Sequence, residues 1–127
     1  MNPRESSENY LETILMLSRK GAVRSIDIAN ELDFSRPSVS IAMKKLRESD
    51  FIEVDADGFI ILTENGHKIA ESMYERHMLI SNWLISLGVD ETVALDDACR
   101  MEHVISEQSF LAIKRLAQKG NSCADHF

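Results

Sequence analysis

Apolar residues recur every three or four positions through the first third of the chain, which is the spacing of one helix face. Two short stripes of this kind lie between residues 25 and 48, and Asp33-Phe34 separates them. A longer stripe precedes them and consists of Tyr10, Leu11, Ile14, Leu15 and Leu17. The pattern predicts one helix, followed by a pair of short helices joined by a tight turn.

The start of the second short helix carries residues that favour a helix N-terminus. Ser35 is a typical N-cap, because its hydroxyl can accept a hydrogen bond from a backbone N–H of the first turn. Pro37 would lie in that turn, where its missing N–H costs little. A helix, a tight turn and a second helix with Ser and Lys on its polar side are typical of a helix-turn-helix.

The spacing changes to that of strands in FIEVDADGFIILT, residues 51–63. Two short strands are predicted there, with Gly58 able to take a positive φ in the turn between them. This hairpin is a candidate wing. The sequence therefore predicts a winged helix-turn-helix over residues 1–65.

The remaining residues, 66–127, show only helical patterns. Thr63 is predicted to cap a long helix that reaches Leu87-Gly88, and Asp90 or Thr92 to begin the next helix. A last helix is predicted to begin at Ser106. The predicted fold class is mainly α, with a small β-hairpin wing and a helical C-terminal domain.

Composition agrees with a helix-rich globular protein, since 44% of the 127 residues are hydrophobic and only two are proline. A chain of this length supports one domain, or two small modules that depend on each other or on a second subunit. No apolar run approaches the roughly 20 residues of a membrane span, and no signal peptide opens the chain. We expect a cytoplasmic protein with no membrane partner, in which the two cysteines form no disulfide framework.

The net charge of −7 argues against nucleic acid, but the charges are unevenly distributed. Residues 17–47 hold seven Lys and Arg against three acids, a local balance of +4, whereas residues 48–66 hold six acids and no Lys or Arg. Ser38, Ser40, Lys44 and Lys45 are either a solvated helix face or the groups that meet phosphates and base edges.

The stretch DDACRMEHVIS, residues 96–106, holds candidate metal ligands. Cys99, Glu102 and His103 are spaced i, i+3 and i+4, so a helix would direct a thiolate, a carboxylate and an imidazole to one side. Each has an ordinary alternative, since a lone cysteine is often a small buried hydrophobe. Cys123 and His126 are interpreted as tail residues and not as ligands.

Five segments together resemble the DtxR/MntR family of metal-dependent repressors, the diphtheria toxin repressor and manganese transport regulator type. They span almost the whole chain and read SSENYLETILML, DIANELDFSRPSVS, LTENGHKIA, ERHMLISNWLISLGVD and DDACRMEHVIS. The resemblance implies a winged helix-turn-helix and a C-terminal helical dimerisation domain, without the SH3-like third domain of some relatives. It also implies that a divalent metal acts as co-repressor at metal-uptake genes.

Residue by residue, the resemblance assigns the metal ligands Glu12, His77, Glu102 and His103, with Cys99 as in the iron-responsive branch. Asn9 stands where the manganese branch has aspartate, and it could still offer a carbonyl oxygen. Ser81 and Leu95 replace the ligands of a second site, which we expect to be lost. The predicted DNA-contacting residues are Ser35, Arg36, Pro37, Ser38, Ser40 and Lys44.

The expected function is that of a homodimeric repressor that a metal fixes for binding to a palindromic operator in double-stranded DNA. Mixed N, O and S ligands favour Fe²⁺, then Mn²⁺, with Zn²⁺ and Co²⁺ able to bind in vitro. No small organic substrate is expected. One alternative is a regulator that senses oxidants through Cys99. A metal-dependent hydrolase is the weaker alternative, because the chain has no HExxH and no evident nucleophile with a base.

Overall fold

The structure, a computed structural model, describes the backbone of residues 3–125 and the side chains of residues 4–119. Within them it contains six helices and one antiparallel hairpin, which confirms the mainly α fold. The elements are α1 Pro3–Ser18, α2 Ser25–Leu32, α3 Arg36–Glu48, β1 Ile52–Val54, β2 Ile60–Leu62, α4 Glu64–Ser86, α5 Glu91–Val104 and α6 Glu107–Asp125. Cys123 and His126 lie outside the described side chains.

Backbone contacts divide the chain into residues 1–73, called unit 1 below, and residues 74–127, called unit 2. This division falls within α4, as does the predicted domain boundary between residues 65 and 66. That boundary stays a prediction. No helix among the described residues is both long enough and apolar enough to cross a membrane.

The turn between α2 and α3 is formed by the residues that the sequence pointed to. Asp33 ends α2 in the left-handed region at φ 56°, and its N–H donates to the carbonyl of Ala29. The Ser35 hydroxyl then accepts a hydrogen bond from the Ser38 N–H at 3.3 Å, with Pro37 in the first turn of α3. The predicted helix-turn-helix pair and its N-cap are confirmed.

The hairpin is held by its turn and by a contact to the chain before α2. Asp55 Oδ1 accepts hydrogen bonds from the Asp57 and Phe59 N–H groups, both at 2.9 Å, and Gly58 adopts φ 84°. The Ile60 N–H donates to the Val23 carbonyl at 2.7 Å. The acidic residues of this turn therefore serve its own backbone.

Unit 1 has one apolar core, to which α1, α2, α3 and the hairpin all contribute. Its buried side chains are Tyr10, Leu11, Ile14, Leu15, Val23, Ile28, Ala29, Val39, Met43, Leu46, Ile52, Ile60, Ala70 and Met73. Thr63 caps α4 as predicted, since its hydroxyl accepts from the Gly66 N–H at 3.2 Å. A Cβ at Gly66 would lie 2.0 Å from the Phe51 carbonyl oxygen, so only glycine allows this approach.

Unit 2 has a smaller core made by the second part of α4, α5 and α6. Ile80, Ala98 and Phe110 form its centre, and the half-buried apolar side chains around them are Leu79, Leu84, Met101 and Ile105. Asp90 accepts a hydrogen bond from the Thr92 N–H at 3.2 Å, so Asp90 and not Thr92 is the N-cap of α5. This packing fixes which residues of α4 and α5 face each other.

Candidate metal centre and nucleic-acid interface

Glu102 occupies a core position of an amphipathic helix. It follows the buried Ala94 and Ala98 at intervals of four residues, so all three lie on the inner face of α5. Its side chain is 0% exposed, although a carboxylate is among the groups least often fully buried. A charged residue in a position made for an apolar one indicates a function for that charge.

Two imidazoles flank this carboxylate. His103 Nε2 lies 3.3 Å from Glu102 Oε1, and His77 Nδ1 of α4 lies 3.4 Å from Glu102 Oε2. All four of these atoms are buried. A buried carboxylate is costly unless positive charge compensates it. The arrangement of one carboxylate and two ring nitrogens, all removed from water, fits a divalent cation.

Arg76 holds the two helices that carry this cluster, and the sequence reasoning did not identify it. Its guanidinium Nη1 donates to the backbone carbonyls of Glu102 at 3.2 Å and Ile105 at 2.9 Å. It also lies 5.2 Å from the ring centroid of Phe110. Arg76 thus positions the last turn of α5, and the available signal was an arginine directly before His77 on a helix with an apolar stripe.

The other predicted ligands differ in exposure. Cys99 is exposed, because the inner face of α5 is centred on Ala98 and Glu102 and Cys99 lies beside that line. In unit 1, Glu12 is buried at 5% exposure, whereas Asn9 is half-buried. The structure thus brings His77, Glu102 and His103 together within unit 2. The parts assigned to Cys99, Glu12 and Asn9 stay predictions.

The positions expected to have lost a second metal site carry no metal ligand. Ser81 is 1% exposed, and its hydroxyl donates to the Met78 carbonyl at 3.1 Å. Leu95 is apolar and 39% exposed. Neither side chain offers the carboxylate or imidazole that such a site requires.

The polar face of α3 is open to solvent. Its inner face consists of Val39, Met43 and Leu46, which are buried in the core of unit 1. The predicted DNA-contacting residues are all exposed at its start and along its outer side, and they are Ser35, Arg36, Pro37, Ser38, Ser40 and Lys44. Hydroxyls and cations on one accessible helix face are the groups that contact phosphates and base edges.

Family comparison gives the same division of roles. Residues 4–58 match the family model described as "Iron dependent repressor, N-terminal DNA binding domain". Residues 63–126 match the model described as "Iron dependent repressor, metal binding and dimerisation domain". The chain belongs to the iron-dependent repressor family. The predicted membership of the DtxR/MntR group is therefore confirmed.

Individual relatives are similar over most of the chain. The transcriptional regulator MntR of Escherichia coli O6:H1 is 37% identical over 117 residues, which cover 91% of this chain and 76% of that protein. The HTH-type transcriptional regulator MntR of Shouchella clausii is 36% identical, covering 91% and 82%. A structure of the manganese regulator SloR is 29% identical with a TM-score of 0.79, covering 93% of this chain and 55% of that one.

A second solved relative is ScaR with bound Zn²⁺, which is 26% identical with a TM-score of 0.76, over 88% of this chain and 53% of that one. The chain thus spans about half the length of these family members of known structure. Because its relatives are transcriptional regulators, the prediction that the chain is not an enzyme is confirmed. It is a metal-dependent transcriptional repressor of its family.

Proposed function

We propose that this repressor binds a palindromic operator as a homodimer when Mn²⁺ or Fe²⁺ is bound, and that it controls metal-uptake genes. The observation that carries the proposal is the fully buried Glu102 carboxylate between two imidazole nitrogens. In a family whose C-terminal model is described as metal binding, this cluster is the chemistry that the description calls for.

The donor groups fit a first-row divalent ion. His77, Glu102 and His103 would hold it, and Glu12, Cys99 and Asn9 are proposed as further ligands on the resemblance. Imidazole and carboxylate ligands suit Mn²⁺, Fe²⁺ and Zn²⁺ alike. When bound, the ion supplies positive charge that offsets the burial of the Glu102 carboxylate, and Arg76 keeps the last turn of α5 in position.

The order of the two ions depends on Cys99. A thiolate ligand favours Fe²⁺, which is the preference expected from the sequence, whereas ligation by carboxylate and imidazole alone favours Mn²⁺. The exposure of Cys99 and the printed name of the manganese regulator SloR support Mn²⁺. Comparison of the two ions under anoxic conditions decides between them.

DNA binding is proposed for residues 1–65, with α3 as the helix that enters the major groove. Residues 66–127 are proposed to bind metal and dimerise. In a two-fold dimer, recognition helices about 34 Å apart would meet two half-sites on one side of the duplex. Metal binding would shift the population toward that spacing by as much as the metal prefers it.

The proposal is tested by anoxic selection of bound fragments from a random DNA pool, in parallel with chelator, Mn²⁺ and Fe²⁺. Enrichment of a palindrome with metal only is expected. Enrichment without metal, or no enrichment under any condition, contradicts the proposal. A Cys99→Ser variant run beside the wild type tests the alternative of oxidant sensing, which fails if that variant still requires metal.

The contribution of Glu12 is tested against Glu8, another buried carboxylate of α1 that pairs with Arg4 at 3.6 Å. We expect Glu12→Gln to raise the Mn²⁺ concentration needed for half-maximal DNA binding by at least tenfold, the range seen for altered metal surroundings. Glu8→Gln should leave that concentration near the wild-type value. Equal shifts in the two variants would remove Glu12 from the ligand set.

A further inference from the structure

One exposed side chain of α3 is neither polar nor among the residues expected to contact DNA. Ile41 is 59% exposed, which makes it the most exposed large apolar residue among the described side chains of unit 1. Single exposed apolar residues are common on protein surfaces and by themselves require no explanation. The place of Ile41 on the helix is what calls for one.

Ile41 lies at the centre of the outer face of α3. Since successive residues of a helix are about 100° apart, Ile41 points away from the buried Val39 and Met43, two positions before and after it. Its neighbours on the outer face are the exposed Ser38 and Lys44. The residue farthest from the core is thus apolar, while hydroxyls and cations lie at its sides.

We propose that Ile41 reads a thymine by contact with its C5-methyl group; this inference rests on the proposed function. A helix in the major groove directs the centre of its outer face at base edges and its flanks at the phosphates. The Ile41 side chain has no hydrogen-bonding atom. The C5-methyl of thymine is the apolar group that the major groove presents, so it is the group that Ile41 can recognise.

The expected size of the effect is modest and measurable. Removing one methyl group from an apolar contact corresponds to about a fourfold loss of affinity for each thymine. Lys44, by contrast, is expected to contact phosphate and to affect all sequences alike. Ile41 therefore contributes sequence preference, whereas Lys44 contributes general affinity.

The test begins with the consensus obtained by selection from a random pool with Mn²⁺. Each thymine is then replaced in turn by deoxyuridine, which lacks the methyl group and pairs with adenine in the same way. We expect one thymine per half-site at which deoxyuridine lowers the affinity of the wild type about fourfold. The Ile41→Ala variant should show no loss at that position.

Ile61→Ala is the matched control, since Ile61 is 53% exposed on β2 and lies outside α3. It should respond to deoxyuridine as the wild type does. The inference is overturned if no thymine responds, or if Ile41→Ala and the wild type lose affinity equally. If the wild type enriches no DNA with metal, the proposed function itself fails, and that result is distinct from a bound consensus that ignores the methyl groups.

Discussion

Replacing Glu102 by glutamine removes the charge from the buried cluster while keeping the shape of the side chain. The amide oxygen can accept a hydrogen bond from one imidazole N–H, and the amide N–H can donate to the ring nitrogen of the other. The atoms concerned lie 3.3 and 3.4 Å from His103 and His77. In the metal-free protein we therefore expect a change in stability below about 1 kcal/mol, in either direction.

With metal, the expected effect is larger. At a free metal concentration one hundred times the Kd, binding adds about 2.7 kcal/mol to the stability of the wild type. Because the Glu102 carboxylate is 0% exposed, water screens its attraction to a cation only weakly. We expect its loss to weaken binding about a hundredfold, which leaves roughly 0.4 kcal/mol of stabilisation at the same metal concentration.

Thermal unfolding followed by circular dichroism measures this difference with Mn²⁺ and with chelator. A difference of about 2.3 kcal/mol corresponds to a Tm shift near 9 °C, at about 4 °C per kcal/mol for a chain of this size. Asp96→Asn is the matched control, since it neutralises an exposed carboxylate of the same helix that pairs with Arg100 at 2.8 Å. Its response to Mn²⁺ should equal that of the wild type.

The reasoning is refuted if Mn²⁺ raises the Tm of Glu102→Gln as much as it raises that of the wild type. A large loss of stability in chelator would also contradict it, since the carboxylate would then support the fold without metal. Both results can be read from the same four unfolding curves, which compare the wild type and Glu102→Gln with and without Mn²⁺.

Three further predictions concern unit 1. Gly66→Ala should lower the free energy of unfolding by about 2 kcal/mol in urea titrations, because its Cβ would lie 2.0 Å from the Phe51 carbonyl oxygen, whereas the exposed Asn65→Ala should not. Burial raises the pKa of Tyr10 above its usual 10.0, so the stability carried by the neutral phenol is present below that pH and is lost as the pH rises through the raised value. Urea unfolding from about pH 9 to about pH 11 should therefore show a smaller loss for Tyr10→Phe than for the wild type. Lys44→Ala should weaken binding to all DNA sequences and reduce the salt slope by about 0.9, and an unchanged slope would contradict a phosphate contact.

Local signals in the sequence were sufficient for the helix-turn-helix and its boundaries. The caps at Ser35, Thr63 and Asp90 each use a hydrogen bond to a backbone N–H two or three residues further along the chain. Such bonds depend on residue types at short separation and on little else. The choice between Asp90 and Thr92 needed the structure, because both are acceptable caps and only the backbone geometry separates them.

The ligand set came from the resemblance, and its spatial arrangement came from packing. The spacing i, i+3, i+4 treats Cys99, Glu102 and His103 as equivalent, yet Glu102 is fully buried and Cys99 is exposed. What separates them is the rotation of α5 about its axis, which the burial of Ala94 and Ala98 fixes. No pattern within the helix alone determines that rotation so finely.

The sequence by itself determined the order of the elements, their caps and the residue types available for metal and DNA, because these depend on local periodicity and short-range hydrogen bonds. The tertiary structure decided which of those residues meet. Arg76 reaches the Ile105 carbonyl across 29 positions of sequence, and His77 reaches Glu102 across 25. Contacts at such separations exist only when the apolar faces of α4, α5 and α6 close around Ile80, Ala98 and Phe110, since that packing sets the register between helices.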